Sequence, residues 1–490
     1  MKKTIISIVI LSFTILAFGQ PQIEWQKSYG GSNFEKAFAA VQTNDGGYIV
    51  VGEATSTDGD VVGNIDNNKA AWILKLDESG DTLWTKCLLD VGVAYSVKQT
   101  SDEGFIVSCS NFTLKKLNAN GNVSWTTQLG ENSFLDEAYS VSLTSDGGYI
   151  VGGELWGGKD GSGTDEWYIA KYNQSGDTLW TKCLEDHWPG TCYSIIETTD
   201  GDFVASGSYN IRTEINPGEY QINQQYGIIK FNNSGDTLWT KDFGGSGSDV
   251  AYSVNETSDG GLLLSGTSGS TEFTKGDDDG WVIKLTNDGT LEWEKYLGGS
   301  DWDNILSCNK TIDNCYILGG FTTSYDGDLT YYDYMVPNYW IIKIDASGDV
   351  IWSESVGGDN QDYGQYVSST SSGGSLMVGR SWSDNGDASE NKGFEDIWIV
   401  KFTSTASATT FQDINYMTIY PNPVKEELYI NNRSNTHAHG SIFSIQGRLT
   451  MILPINAGIN TADLSHLNKG IYLLEINHQS GRSFKTIIKQ

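Results

Sequence analysis

The chain has 490 residues, 57 of them Gly and only 7 Pro, with 16 Trp, 25 Tyr, 17 Phe and a formal net charge of −31. Negative charge on this scale works against nucleic acid or anionic lipid as a partner. Abundant glycine and aromatic residues point to turn-rich β-structure rather than disorder.

Lys2 and Lys3 precede an apolar run from Ile5 to Leu16, and Ala17 and Gly19 offer small residues for cleavage. This pattern predicts a secretory signal over residues 1–19. The apolar run is too short to span a bilayer, and no later stretch is apolar enough to be a transmembrane segment. No Cys follows the cleavage point, which argues against lipid anchoring.

The next phrase, "IEWQKSYGG" from Ile23, reads as the end of a repeat. Relatives of it close later units: "TLWTKCLLD" from Thr82, "TLWTKDFGG" from Thr237, "LEWEKYLGG" from Leu291 and "VIWSESVGG" from Val350. A full unit spans Ala251–Gly299: an alternating strand, the turn "SDGG", a second strand, a variable loop, "WVIKL", a turn "NDG" and a Trp-bearing fourth strand. The second-strand signature occurs seven times, from "GGYIVVG" at Gly46 to "GGSLMVG" at Gly373. Fourth-strand tryptophans also number seven: Trp25, Trp84, Trp125, Trp180, Trp239, Trp293 and Trp352. Seven units of four short antiparallel strands predict an all-β, seven-bladed β-propeller over residues 20–403.

The last unit ends at "DIWIVKF", Asp396–Phe402, with no Trp strand of its own, while the first has one strand too many. The N-terminal strand is therefore expected to pair beside Asp396–Phe402 and close the ring, which removes an exposed sheet edge. The tryptophans are expected to pack between neighbouring blades.

Function is expected on the face carrying the second-to-third strand loops and the interblade loops, because these vary while the turns on the opposite face are uniform. Their aspartates Asp58, Asp60, Asp277, Asp279, Asp326, Asp328, Asp384 and Asp387 place hard oxygens close together, which suits calcium. The same residues also suit capping of their own turns. No other cofactor is indicated. Trp156, Trp188, Trp302, Tyr331, Tyr332 and Trp382 depart from the repeat and mark a candidate ligand surface of rings beside acids, or local packing within the loops. A further acid precedes the first strand of most units, at Glu35, Asp136, Asp249, Asp303 and Asp362, and recurrence favours an interblade hydrogen bond there. Six Cys in an exported chain suggest disulfides. Local spacing nominates Cys308 with Cys315 and Cys183 with Cys192, leaving Cys87 and Cys109. A single His before residue 411, His187, argues against copper chemistry and Ser–His–Asp catalysis. Paired carboxylates could serve glycoside hydrolysis, but they are too many to identify a pair.

After a linker at residues 404–415, which follows on from the Ser/Thr/Ala run "TSTASATT" beginning at Thr403, composition turns basic. "IYPNPVKEELYI" from Ile419, "IFSIQGRLT" from Ile442, "NTADLSHLNKGIYLLEI" from Asn460 and the closing "KTIIKQ" resemble the C-terminal sorting domain of the type IX secretion system of Bacteroidota. The resemblance implies a small β-sandwich at residues 416–490 that engages the secretion machinery and a sortase, with export through the periplasm to the cell surface or the medium. The expected function is a secreted or surface-displayed binding or adhesion module for a glycan or protein. The alternative is an extracellular polysaccharide-degrading enzyme using carboxylates on the variable face.

Overall fold

The computed structural model describes residues 21–129, 136–156, 166–184, 190–216, 219–329, 336–388, 390–404, 417–433, 438–444, 449–478 and 481–490. The signal at residues 1–19, Trp188, Tyr331 and Tyr332 lie outside the described residues. Two compact units divide the chain, Met1–Thr405 and Ala406–Gln490.

Seven four-stranded antiparallel sheets form the first unit among the described residues. Their first strands are Glu35–Gln42, Ala94–Gln99, Glu137–Leu143, Gly190–Glu197, Asp249–Glu256, Asp303–Lys310 and Asp362–Ser369. Each first strand packs on the next, and the seventh packs on the first, so these strands surround one axis and the sheets form a closed propeller. Second and third strands are buried on both faces and read as continuous apolar runs such as Tyr48–Ala54 and Ala70–Leu76. Fourth strands form the half-exposed outer edge. Ile23–Tyr29 pairs antiparallel with Asp396–Phe402 and supplies the fourth strand of blade seven. Ring closure by the N-terminal strand, as the orphan phrase predicts, is therefore present.

Each outer-strand tryptophan also crosses a seam. The Trp25, Trp84, Trp125, Trp180, Trp239 and Trp293 rings lie over Gly80, Gly121, Gly176, Gly235, Gly289 and Gly348 in the next blade's third-to-fourth turn. These glycines have φ between 75° and 86°, where a side chain would be strained and would also strike the indole. The indole N–H of Trp25 donates to the Glu78 carbonyl, and that of Trp180 to the Asn233 carbonyl. Trp352 faces blade seven, whose third and fourth strands come from opposite ends of the propeller's sequence, with no turn between them. Its buried indole N–H has no acceptor.

A second repeated contact is a buried lysine on the third strand. Lys75, Lys116, Lys171, Lys230, Lys284 and Lys343 pair with Asp45, Asp102, Asp146, Asp200, Asp259 and Asp313 of the first-to-second turn, at 2.5–3.2 Å. Blade seven has Ser372 where the others have Asp. Its lysine, Lys401, is neutralised by Glu24 of the N-terminal strand at 2.8 Å. A buried ammonium without a carboxylate is strongly disfavoured, so the missing aspartate ties closure to that strand.

None of the nominated disulfides forms. Cys308 is buried between blades five and six, and Cys315 lies at the end of a turn, directed to the Asp313 carbonyl. Cys192 is buried between blades three and four, whereas the Cys183 thiol donates to Glu166. Cys109 is buried beneath blade two and is not bonded to Cys87. Nearness along the chain misled here, because alternation sends neighbouring side chains into different interblade cores.

The second unit holds two sheets. Met417–Tyr420, Glu427–Asn432 and Gly458–Asp463 form one; Leu449–Ile455, Ala438–Ser444, Gly470–His478 and Gly481–Lys489 form the other. Its own core gathers Val424, Leu428, Ile430, Ile442, Leu474, Ile476 and Ile487.

Glu24→Gln is expected to lower stability by about 1 kcal/mol, read as a lower urea midpoint at unchanged m, a charged hydrogen bond discounted for the half-exposed Glu24. Ser372→Asp in that background should restore it by rebuilding the pairing of the other six blades. No rescue would mean that Lys401 does not require a carboxylate.

Candidate functional site at the mouth of the ring

The loop aspartates hold the ring's rim in shape. Asp60, Asp328 and Asp387 accept from the first glycine of an interblade Gly-Gly pair, at Gly30, Gly298 and Gly357. The backbone N–H of each of these three aspartates returns a bond to the same glycine's carbonyl. Asp58 and Asp326 accept from Ser32 and Ser300, and Asn385, not Asp384, takes that place in blade seven. Asp277 and Asp384 are exposed, whereas Asp279 is buried and accepts from the Lys275 N–H. Among the described residues no three His, Cys, Asp or Glu side chains converge as a metal set. The eight aspartates nominated for calcium are thus dispersed over several seams, and most serve as turn acceptors.

The recurring first-strand acids complete these latches. Glu35, Asp249, Asp303 and Asp362 accept from the second glycine of each pair, Gly31, Gly245, Gly299 and Gly358. They also accept from the hydroxyls of the last residue of the second strand and the residue two beyond it: Ser268 and Ser270 in blade five, Thr322 and Ser324 in blade six. Asp136 accepts from the Trp156 N–H. At two seams a second buried acid faces the first across the glycine, Asp279 against Asp303 and Asp396 against Glu35, where any added Cβ on Gly298 or Gly30 would overlap both. Burial pushes Asp279 and Asp396 up to about 6, with the facing carboxylates adding to the rise.

Inside this rim the first strands carry a shared irregularity. Each has a β-bulge, lying at Ala37/Ala39, Ala94/Ser96, Cys192/Ser194 and Ala251/Ser253 among others. The extra residues are Phe38, Tyr95, Tyr139, Tyr193 and Tyr252, then Leu306 and Gln365. Bulges re-aim side chains, and here the five rings adjoin in sequence around the centre with centroids 4.9–5.3 Å apart. Above them, paired residues of the first and second strands line the mouth: Lys36 with Glu53, Glu137 with Glu154, Asn304 with Phe321 and Tyr363 with Arg380.

The mouth has two chemically different arcs. Over blades six and seven, Trp302, Phe321, Tyr363 and Trp382 follow one another edge-to-face at 4.8–5.9 Å. The Arg380 guanidinium lies 4.6 Å from the Tyr363 ring and 5.2 Å from Trp382, a double cation–π contact. The Trp302 N–H donates to Asp278 at 2.7 Å, which fixes the exposed indole. From blade seven to blade three the arc is charged: Arg380 to Glu395, Lys36 between Glu395 and Glu53, Lys69 to Glu53, then Glu137 and Glu154.

Of the predicted ligand residues, Trp302 and Trp382 are therefore brought into one aromatic row. Trp156 stands apart on blade three, 56 % exposed. Phe321, Tyr363, Arg380, Glu137, Glu154 and the stacked exposed pair Phe34–Phe394 did not stand out in the sequence. The one available signal was the aromatic residue repeated at the same first-strand position in five of seven units.

Residues 418–490 match the secretion system C-terminal sorting domain. The sorting domain marks the chain for export to the cell surface or the extracellular space and for contact with the secretion machinery. No described helix is long and apolar enough to cross a membrane. The fold is similar to the WD40 β-propeller domain of Doa1 (11 % identity, 79 % of this chain and 98 % of that one, TM-score 0.48). It is also similar to BamB from Moraxella catarrhalis (13 %, 75 % and 99 %, 0.37) and to a protein of unknown function from Bacteroides caccae (12 %, 62 % and 93 %, 0.38). No curated protein matches the chain.

The seams give a pH dependence of definite sign. Carboxyls raised in the fold, Asp279 (facing Asp303, Asp328 and Lys275) and Asp396 (facing Glu35, Asp60 and Lys392), contribute stability that is full below the ordinary carboxylate range and lost as pH rises through about 6. Asp102, Asp146 and Asp313 act oppositely. Burial pulls each upward, but hydrogen bonds from its lysine and threonine reverse this and hold it at about 2. Their contribution is present above the ordinary range and lost as pH falls toward about 2. Melting temperature should therefore rise from pH 8 to about 5 and fall below about 4. The double variant Asp279→Asn, Asp396→Asn should flatten the upper limb, and an unchanged limb would refute the assignment.

Proposed function

We propose that the propeller, residues 20–403, is a secreted or surface-displayed binding module and that its ligand, a glycan or a protein, seats on the mouth. In this reading the signal over residues 1–19 starts export through the periplasm, and the tail at 416–490, joined by the linker 404–415, is handed to the secretion machinery and a sortase. The observation carrying the proposal is the aromatic row Trp302–Phe321–Tyr363–Trp382, clamped by Arg380, beside the carboxylates of the charged arc. Sugar rings stack on such faces while carboxylates take their hydroxyls. A rigid cup of this kind needs no moving part to bind.

The degrading-enzyme reading has one observation in its favour. Glu137 lies across from Glu154 in strand register, and burial pushes its carboxyl up to about 7, a range suited to general acid catalysis.

A glycan array with the exported chain, with and without EDTA, followed by reducing-sugar assays on each hit, separates the readings and tests calcium. Binding without product is expected. Trp302→Ala and Trp382→Ala should each weaken a hit about tenfold, the ~1.4 kcal/mol of one stacked ring. Product formation abolished by Glu137→Gln would replace the module with the enzyme.

A further inference from the structure

We infer that the long hairpin of blade four is a self-association surface, where two copies of the chain join by antiparallel pairing of residues 210–216 about a two-fold axis at Thr213. The inference stands apart from what the mouth binds.

Elsewhere in the propeller the second and third strands hold five to seven residues. In blade four they run Phe203–Asn216 and Glu219–Phe231, 14 and 13 residues. The first strand accompanies the second only as far as Gly190 opposite Tyr209. From there the pair continues as a ribbon, from Asn210 opposite Gln224 to Asn216 opposite Glu219. At 3.4 Å per residue this ribbon extends roughly 20 Å. Its two edges differ. On the third-strand side Asn223 and Gln225 donate to the Gly245 carbonyl at 2.7 and 3.1 Å, and Ser248 donates to Gln224 at 2.6 Å. An interblade loop thus covers the start of that edge. Among the described residues no strand pairs with the other edge, at 210–216. A two-stranded ribbon is marginal in water by itself, and an open edge is a template for a further strand.

The sequence of that edge specifies which strand. Residues 210–216 read "NIRTEIN", the same from either end except that Arg212 mirrors Glu214. Laid antiparallel on a second copy about Thr213, Asn meets Asn, Ile meets Ile and Thr meets Thr, while Arg212 meets Glu214 of the other copy. A two-fold contact repeats each pairing, so both charges are answered twice. Opposed residues differ by an even number of positions, so backbone groups facing outward on one copy meet outward groups on the other. Centring the contact on Arg212 or on Glu214 instead would set like charges opposite each other, which fixes the register. The hairpin's own register shift lies between Glu214 and Asn216, outside the central Arg212–Thr213–Glu214 match. The segment is also net neutral within a chain of −31, whose copies otherwise repel. Pairing of this kind places the two propellers at opposite ends of a four-stranded joint.

Sedimentation velocity of the exported chain from about 1 to 100 µM should show monomer giving way to dimer. Arg212→Glu and Glu214→Arg each set like charges at both pairs and should weaken the dimer at least about tenfold. An equimolar mixture of the two variants should restore it, since each then supplies the charge the other lacks, and recovery also shows that both fold. A chain that stays monomeric at about 100 µM would overturn the inference and leave the edge to a strand of another protein. A dimer indifferent to both reversals, or variants that do not recover on mixing, would overturn it as well.

Discussion

A lysine ammonium buried beneath the third strand has to meet a carboxylate, and the architecture depends on how that demand is met. Six blades meet it locally, through a turn aspartate a few residues before the second strand. Blade seven has serine there, so Lys401 is neutralised only if Glu24 arrives from the other end of the ring. Hydrogen bonding and hydrophobic burial favour closure without specifying which segment performs it. The charge requirement adds that specification, because an unpaired cation at this depth outweighs most packing gains.

The same economy explains the rim of the ring. Gly-Gly pairs let the chain pass between buried acids and loop aspartates where no Cβ fits. The acids fix those pairs from one side and the loop aspartates from the other. A rim held by so many short bonds keeps Trp302 and Arg380 in set positions. Negative charge that reads in the sequence as a cation-binding surface is largely the adhesive of the rim.

Repetition made the fold legible. Strand alternation, the two turn motifs and the tryptophan count specify four-stranded units, and the misplaced phrase at Ile23 reveals closure. The mouth was harder to see because its chemistry is not repeated. Tyr363 and Arg380 occur in one blade each and become a cation–π sandwich only when the second strand pairs with the first. Glu137 and Glu154 lie 17 positions apart and face each other through strand register. The disulfide expectation failed for a related reason: nearness in sequence says little about which interblade core a side chain enters.

The unanswered N–H of Trp352 shows where the circle was left open, and it carries a consequence for the order of assembly. A chain emerging from its N-terminus holds Ile23–Tyr29 without a partner until Asp396–Phe402 has followed. Six blades can hydrogen-bond within themselves by then, yet the ring stays an open arc. The sorting tail follows directly, so the last propeller strand made is the one that receives the first. The piece that seals the circle is thus the earliest synthesised and the latest to find its place.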